Sequence, residues 1–195
     1  AQTVTGGITL QEADSVTIGG VTGALGGLDV TGIGAITVTA NGSITVTEQI
    51  TGPDAIMLSA TGTASDLTIV AGSGVQSTDD NIVLSADITV TGNAGTGARN
   101  IVVDSGAVVS VVNGELMLDA DRGSQQSGNF AGVLVDNATL QATGTGNITL
   151  TGRGGNDAAG GQAGVVITNG SVVSTASAGT ITITGVGGAR AGNKK

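Results

Sequence analysis

The chain has no cysteine, histidine, tryptophan or tyrosine, and its only phenylalanine is Phe130. Without histidine and cysteine it has no imidazole base, no thiolate nucleophile and no ligands for a tetrahedral zinc site. A single phenylalanine cannot provide the aromatic platform on which bases or sugar rings stack. These absences exclude the commonest catalytic centres, so we expect neither an enzyme nor a bound cofactor.

Positive charge is scarce as well. Six lysines and arginines stand against 15 aspartates and glutamates, which gives a net charge of −9. Because phosphate binding needs clustered Lys and Arg, no nucleic-acid partner is expected. Nine of the acids lie before Arg99, whereas residues 100–195 hold six acids and five bases. This asymmetry predicts a soft subdivision near residue 99 within one continuous domain spanning residues 1–195.

Long hydrophobic runs are also missing. No stretch of about 18 or more apolar residues exists, so no membrane-spanning segment is expected, and no secretion signal opens the chain. We therefore expect a mature form or an excised segment of a longer protein. The composition is not that of a disordered chain, since only 11% of the residues are charged and 39% are hydrophobic.

What the chain does contain is glycine, at 36 positions, and short runs in which aliphatic residues alternate with threonine. Such runs occupy residues 36–39, 44–47, 88–91, 148–151 and 181–184. Alternation with a period of two predicts strands with one buried face. The glycines and the Asn-Gly pairs at 41–42, 113–114 and 169–170 are predicted to form the turns between them.

An internal repeat organises these strands. The segments 100–131, 132–163 and 164–195 are equal in length, and Ile101, Val133 and Val165 are equivalent in them. The openings at Ile56 and Ile82 look the same and define two shorter units, 55–80 and 81–99, and the segment 1–54 accommodates two more. Units this short cannot bury an apolar face alone, but stacked units can. The sequence therefore predicts an all-β fold, a single-stranded parallel β-helix (β-solenoid) of about seven rungs of roughly 19–32 residues.

The strand and turn segments 132–141 and 146–152, with their equivalents 164–170 and 179–185, carry a family resemblance. They resemble the repeats of giant bacterial surface proteins: filamentous-haemagglutinin-like and autotransporter adhesins, and related β-strand repeat proteins. The resemblance implies a right-handed parallel β-helix that forms a stalk or adhesin segment of an exported, extracellular protein. It also implies a role in adhesion or cell–cell association, with another cell surface, a glycan or a protein as the partner.

The Gly-rich segments 120–131, 152–163 and 185–192 differ in sequence while the strands agree. They are predicted to be loops that project from one corner of the solenoid, and the first two are the predicted partner-binding loops. Both ends of a solenoid expose unpaired strand edges, which predicts end-to-end self-association.

Asp104 and Asp136 are the candidate metal ligands, because they occupy equivalent positions in adjacent repeats. Side chains so placed lie about 5 Å apart, and two stacked carboxylates favour a shared Ca²⁺ or Na⁺. The alternative is that each aspartate caps the turn that follows it by accepting hydrogen bonds from backbone amides. Residues 154–157 resemble a calcium-binding nonapeptide repeat, but the motif occurs only once.

Outward-facing threonines suggest a second function, ice binding. The aligned units give two columns: Thr68, Thr89, Met117, Thr149 and Thr182, and Val70, Thr91, Asp119, Thr151 and Thr184. Met117 and Asp119 interrupt both columns in the same unit, and threonine is also an ordinary outward residue of strands. Ice binding therefore ranks below the stalk or adhesin interpretation.

A polysaccharide-degrading enzyme is the third and weakest alternative. Asp119, Asp121 and Arg122 supply two carboxylates and a guanidinium, a combination that many β-helix enzymes use. Glycoside hydrolysis needs two carboxyl groups held about 5–9 Å apart. Asp121 also aligns with Arg153 of the next unit, which predicts an ion pair between neighbouring rungs. A sugar cleft without Tyr, Trp or His disfavours the enzyme.

Overall fold

The fold is seen in a computed structural model of the chain. The structure describes residues 1–20, 26–61, 65–78, 82–86, 100–120, 128–156, 162–176 and 178–188. The predicted strand at 88–91 and the residues Asp121, Arg122 and Asp157 lie outside these ranges.

Every regular element in the described ranges is a β-strand. In chain order the strands are β1 (Gln2–Thr5), β2 (Ile8–Glu12), β3 (Val16–Ile18), β4 (Leu28–Ile33), β5 (Ile36–Ala40), β6 (Ile44–Val46), β7 (Gln49–Gly52), β8 (Ile56–Ala60), β9 (Leu67–Ile69), β10 (Gly74–Ser77), β11 (Ile82–Ala86), β12 (Ile101–Val103), β13 (Val108–Val111), β14 (Leu116–Ala120), β15 (Val133–Asp136), β16 (Thr139–Ala142), β17 (Ile148–Arg153), β18 (Val165–Thr168), β19 (Val172–Thr175) and β20 (Ile181–Val186).

Every third strand belongs to the same sheet, and all pairings are parallel. The first sheet has the order β1-β4-β7-β10-β13-β16-β19, the second β2-β5-β8-β11-β14-β17-β20, and the third β18-β15-β12-β9-β6-β3. One coil therefore consists of one strand from each sheet, joined at three corners, and successive coils stack. This is the predicted all-β parallel solenoid, and the fold class is confirmed. In each sheet a strand that precedes residue 99 pairs directly with one that follows it: β10 with β13, β11 with β14, and β9 with β12.

The core is a set of aliphatic columns inside the three sheets. In the second sheet Ile36, Ile56, Leu116 and Ile148 belong to one column, and each is buried. The strand patterns alternate buried and partly buried residues, as in β5 and β14, because successive side chains point to opposite faces of a strand. Coils with such short sides have room for Ala, Val, Ile and Leu, which explains the near absence of aromatic residues.

Pairing in the C-terminal half confirms the three equal segments. Ile101 pairs with Val133, and Val133 pairs with Val165. Ile148 pairs with Ile181, so the last segment accommodates its one-residue insertion before the last strand.

The predicted boundaries of the upstream units 55–80 and 81–99 are wrong. Ile56 pairs with Ile82 and Ile82 pairs with Leu116, all in the second sheet, whereas Ile101 pairs with Leu67 in the third. The predicted unit 81–99 is therefore not a coil. The physical reason is that strands of all three sheets carry the same alternating pattern, so the pattern alone does not say to which sheet a strand belongs.

Glycine has two roles in the coils, and the sequence predicts one of them. Gly72 and Gly170 have φ angles of +76° and +80° in turns between the third and first sheets, as expected of glycine turns. Gly152 does not have a positive φ, but a Cβ there would overlap the carbonyl oxygen of Gly164. Some glycines are thus required because the backbone of one coil passes close to that of another.

Candidate functional site

The connections from the second to the third sheet form the most variable corner of the solenoid. The first three, at 13–15, 41–43 and 61–66, are short, and the last three, at 87–100, 121–132 and 154–164, are long. We call the last three connections the loop corner. The loops 120–131 and 152–163 are predicted to share one corner, and the strand order places both there.

Backbone hydrogen bonds stack the bases of these loops on one another. Gly155 N donates to Phe130 O at 2.9 Å, and Gly188 N donates to Gln162 O at 2.8 Å. The described ends of these loops are therefore stacked in the same order as the coils from which they extend.

Side chains also join the bases of neighbouring loops. Phe130 is buried, with 8% of its surface exposed, so the one aromatic residue packs into the protein rather than facing a partner. Gln162 is buried, and its Nε2 donates to Asn129 Oδ1 at 3.3 Å. No signal in the sequence indicates these roles, since both depend on which residues of adjacent loops meet.

Asn156 Oδ1 is a buried oxygen without a hydrogen-bond partner. Among the described residues it is the one buried side-chain polar atom with this property. The adjacent Gly154 and Gly155 are buried, and their amides donate to Val186 O and Phe130 O of neighbouring coils. These two glycines of the nonapeptide-like segment thus serve coil stacking, and Asp157 lies outside the described residues.

Asp104 and Asp136 lie at another corner, between the third and first sheets. Val103 and Val135, which precede them, pair directly, so the two aspartates lie on adjacent coils as predicted. Asp104 Oδ1 accepts a hydrogen bond from Ser105 N at 2.7 Å, which is the predicted turn cap. Asp136 Oδ1 instead accepts a hydrogen bond from Asn169 Nδ2 at 2.6 Å.

Each of these two carboxylates thus has one oxygen engaged in holding a turn. Ca²⁺ takes six to eight oxygen ligands, more than two carboxylates provide. In the described part of the chain no group of three or more His, Cys, Asp or Glu residues is close enough to hold a metal ion. A cation shared by Asp104 and Asp136 stays a prediction, which calorimetric titration of chelator-treated protein with Ca²⁺ tests.

Asp66 has a carboxyl group with a raised pKa, and it lies in the connection 61–66, between the same two sheets as the loop corner. Asn100 N donates to Asp66 Oδ1 at 3.2 Å, and Asp66 N donates to Ser43 Oγ at 3.0 Å. Burial raises the pKa of the Asp66 carboxyl, and the hydrogen bond from Asn100 lowers it by a smaller amount. Because the folded state binds this proton more tightly, the group stabilises the fold at low pH. That contribution is lost as the pH rises through the raised pKa.

We expect Asp66→Asn to raise the melting temperature at pH 7 by about 1–3 °C. Asparagine keeps the oxygen that accepts from Asn100 N and removes a desolvated charge. At about pH 3 the aspartate is itself neutral, so the difference should vanish. Thermal melts followed by circular dichroism at both pH values measure this, with Asp14→Asn at an exposed position as the control. A gain that persists at low pH would contradict the assignment.

The predicted threonine columns combine residues of different sheets. Thr149 and Thr182 do share a column with Met117, but Thr68 belongs to the third sheet, where it pairs with Thr45 and Val102. Thr89 and Thr91 lie outside the described residues. The second-sheet column contains Thr9, Thr37, Met57, Val83, Met117, Thr149 and Thr182. Its centre is therefore not a threonine surface, and ice binding stays an untested alternative.

Comparison with protein-family models, with curated proteins and with solved structures found no match to this chain. Across the described ranges, no helix capable of spanning a membrane is found. The architecture alone therefore defines the class of protein, which is a parallel β-solenoid.

Proposed function

We propose that the chain is a non-catalytic stalk or adhesin segment of a large, exported bacterial surface protein. The observation that carries the proposal is the contrast between the two faces of each strand. Inward positions stay aliphatic from coil to coil, as in the register Ile56, Ile82 and Leu116. Outward positions change, as in the register Met117 and Thr149. The residues that recur along the chain are therefore those that let coils stack, and stacked coils form an elongated structure of uniform cross-section.

The loop corner is the proposed contact surface for a partner. It contains the three longest of the connections that join the second sheet to the third. Loops on a rigid scaffold commonly carry the residues that bind a partner. Their bases are held by hydrogen bonds between Gly155 and Phe130 and between Gln162 and Asn129. Another cell surface, a glycan or a protein would then meet several loops side by side, in an extracellular setting.

The register at Asp119 supports the non-catalytic interpretation over the polysaccharide-degrading enzyme. Asp119 pairs with Ser85 on one side and with Thr151 on the other, so neither neighbour in this column is a second carboxylate. Glycoside hydrolysis by a carboxylate pair needs the partner about 5–9 Å away. Asp121 and Arg122 lie outside the described residues and add nothing to this comparison.

Display of the chain on a non-adherent bacterium tests the proposal. Cells that display the chain are expected to adhere to an epithelial monolayer, or to one another, several-fold more than cells displaying the anchor alone. Exchanging residues 121–127 and 157–161 for Gly-Ser segments of equal length should abolish the gain. The control is the pair Thr143→Ser and Thr145→Ser at the corner between the first and second sheets, which keeps the closely packed Gly144 and Gly146 and should preserve the gain. Equal adherence of both variants would place the contact elsewhere, and no gain for the unaltered chain would contradict an adhesive role.

A further inference from the structure

Three turns of the solenoid contain the dipeptide Asn-Gly, at 41–42, 113–114 and 169–170. In each of them the asparagine is exposed, so water reaches all three side chains. An asparagine followed by glycine is prone to spontaneous deamidation, because glycine has no side chain that hinders attack by its nitrogen. The reacting atoms are the same in the three turns, so a difference in reactivity between them has to come from the fold.

Deamidation requires the glycine nitrogen to reach Cγ of the asparagine before it. The nitrogen loses its proton to hydroxide and forms a bond to Cγ, which closes a five-membered succinimide ring. The bond from Cγ to Nδ2 breaks, and ammonia leaves with a proton taken from water, which restores the hydroxide. Water then opens the ring at either carbonyl to give aspartate or isoaspartate. One water molecule is consumed and one ammonia released, and nothing is oxidised or reduced.

Two of the three asparagine side chains are held by a neighbouring coil. Asn113 Oδ1 accepts hydrogen bonds from Thr145 N at 3.2 Å and from Thr145 Oγ1 at 3.3 Å. Asn169 Nδ2 donates to Asp136 Oδ1 at 2.6 Å, and a hydrogen bond to a carboxylate is stronger than one between neutral groups. To turn towards the glycine nitrogen, each of these side chains has to break its bonds to the adjacent coil.

Asn41 is not held in this way. It lies in the short connection 41–43, and its backbone nitrogen donates to Glu12 O at 2.9 Å. Among the described residues, neither the Asn41 side chain nor Gly42 N has a hydrogen-bond partner. Both groups that have to react are therefore free at this turn.

We propose that Asn41 is the site at which this chain undergoes spontaneous deamidation, and that the stacking of coils protects Asn113 and Asn169. The co-reactant is water, and the reaction needs no enzyme. The inference is independent of the adhesive role, because the connection 41–43 does not belong to the loop corner.

Deamidation of Asn41 loosens the contact between the connections 13–15 and 41–43. Ser43 N donates to Ser15 Oγ at 3.0 Å, and a Cβ on Gly42 would lie 2.6 Å from Ser15 N, so the two backbones pack closely. Isoaspartate lengthens the main chain of this connection by one carbon atom. Such a change cannot be absorbed where the backbones already touch, so the two connections have to separate.

Peptide mapping by mass spectrometry tests the inference, after incubation of the folded chain at physiological temperature and mildly alkaline pH. Deamidation at Asn41 is expected to be at least about tenfold faster than at Asn113 and Asn169, because only those two have to break hydrogen bonds first. In concentrated urea the fold is lost, and the three rates should converge. Equal rates in the folded chain, or a folded Asn41 that stays intact while the unfolded chain reacts, would overturn the proposal.

Hydrogen exchange tests the consequence of the reaction. After incubation, the fraction that gained a negative charge is separated by anion exchange, and its backbone amides at residues 41 and 43 should exchange faster than in the unmodified fraction. Incubated Asn41→Gln is the control, because its longer side chain closes a six-membered ring far more slowly. Unchanged exchange in the modified fraction would contradict the loosening.

Asp136→Ala tests the protection by the neighbouring coil. It removes the acceptor of the Asn169 side chain, so deamidation at Asn169 should become about tenfold faster while the rate at Asn41 stays the same. Asp104→Ala is the matched control, since Asp104 occupies the equivalent position in the adjacent coil and caps its own turn. It should change neither rate, and melting curves confirm that both variants are folded. An unchanged rate at Asn169 in Asp136→Ala would overturn the protection.

Discussion

Leu118→Ala is expected to lower the free energy of unfolding by about 3 kcal/mol. Leu118 is fully buried in β14 and lies in register with Leu84 and the buried Leu150 of the neighbouring coils. Removing its side chain leaves a cavity between coils whose backbones are held by strand pairing on both sides, so the site cannot collapse easily. Urea titrations followed by far-ultraviolet circular dichroism measure the change.

Met117→Ala is the matched control for this substitution. Met117 precedes Leu118 on the same strand but points outward, and it is only partly buried. We expect a loss below about 1 kcal/mol, because the outward side chain leaves no internal cavity. Equal losses for the two variants would contradict the assignment of inward and outward faces.

Gly152→Ala is expected to destabilise the fold by about 3 kcal/mol or more, although it adds a single methyl group. A Cβ at Gly152 would overlap Gly164 O and would lie 3.0 Å from Val133 N, and both are backbone atoms. Backbone atoms cannot rotate away as a side chain does, so two coils would have to separate. Comparison of melting temperatures and urea midpoints with the unaltered chain measures the effect.

Gly187→Ala provides the comparison for Gly152→Ala. The nearest atom to its added Cβ is Gln162 O at 3.4 Å, which is close to ordinary contact. Both substitutions reduce the freedom of the unfolded chain equally. The difference between them therefore isolates the close approach of the backbones, and a neutral result for Gly152→Ala would disprove the close approach.

The repeat and the strand faces could be predicted from the sequence because their signals are local. Alternation at 148–151 predicted that Ile148 and Leu150 face inward, and the equal length of the last three segments predicted the pairing of Val133 with Val165. The sheet to which Ile82 belongs could not be predicted. That depends on the lengths of the connections before and after it, and the pattern of the strand itself does not encode them.

The site was only partly predictable for the same reason. The loop corner follows from variable segments that alternate with recurring strand patterns within the chain. The raised pKa of Asp66 does not, since its burial and its contacts with Ser43 and Asn100 arise from residues of adjacent coils. Likewise, the bond from Asn169 to Asp136 depends on the stacking of two turns, whereas the cap at Asp104 is local.

The stacking of coils in register is the central claim, and the absence of cysteine makes it directly measurable. Thr9, Thr149 and Thr182 occupy one column of the second sheet, and cysteines introduced there would be the only thiols in the protein. Electron–electron resonance between nitroxide labels at Thr9→Cys and Thr182→Cys should give a single narrow distance of roughly 29 Å, six strand spacings. The pair Thr9→Cys and Thr149→Cys should be shorter by about one spacing, roughly 5 Å. Equal distances for the two pairs, or broad distributions for both, would contradict the stacked solenoid.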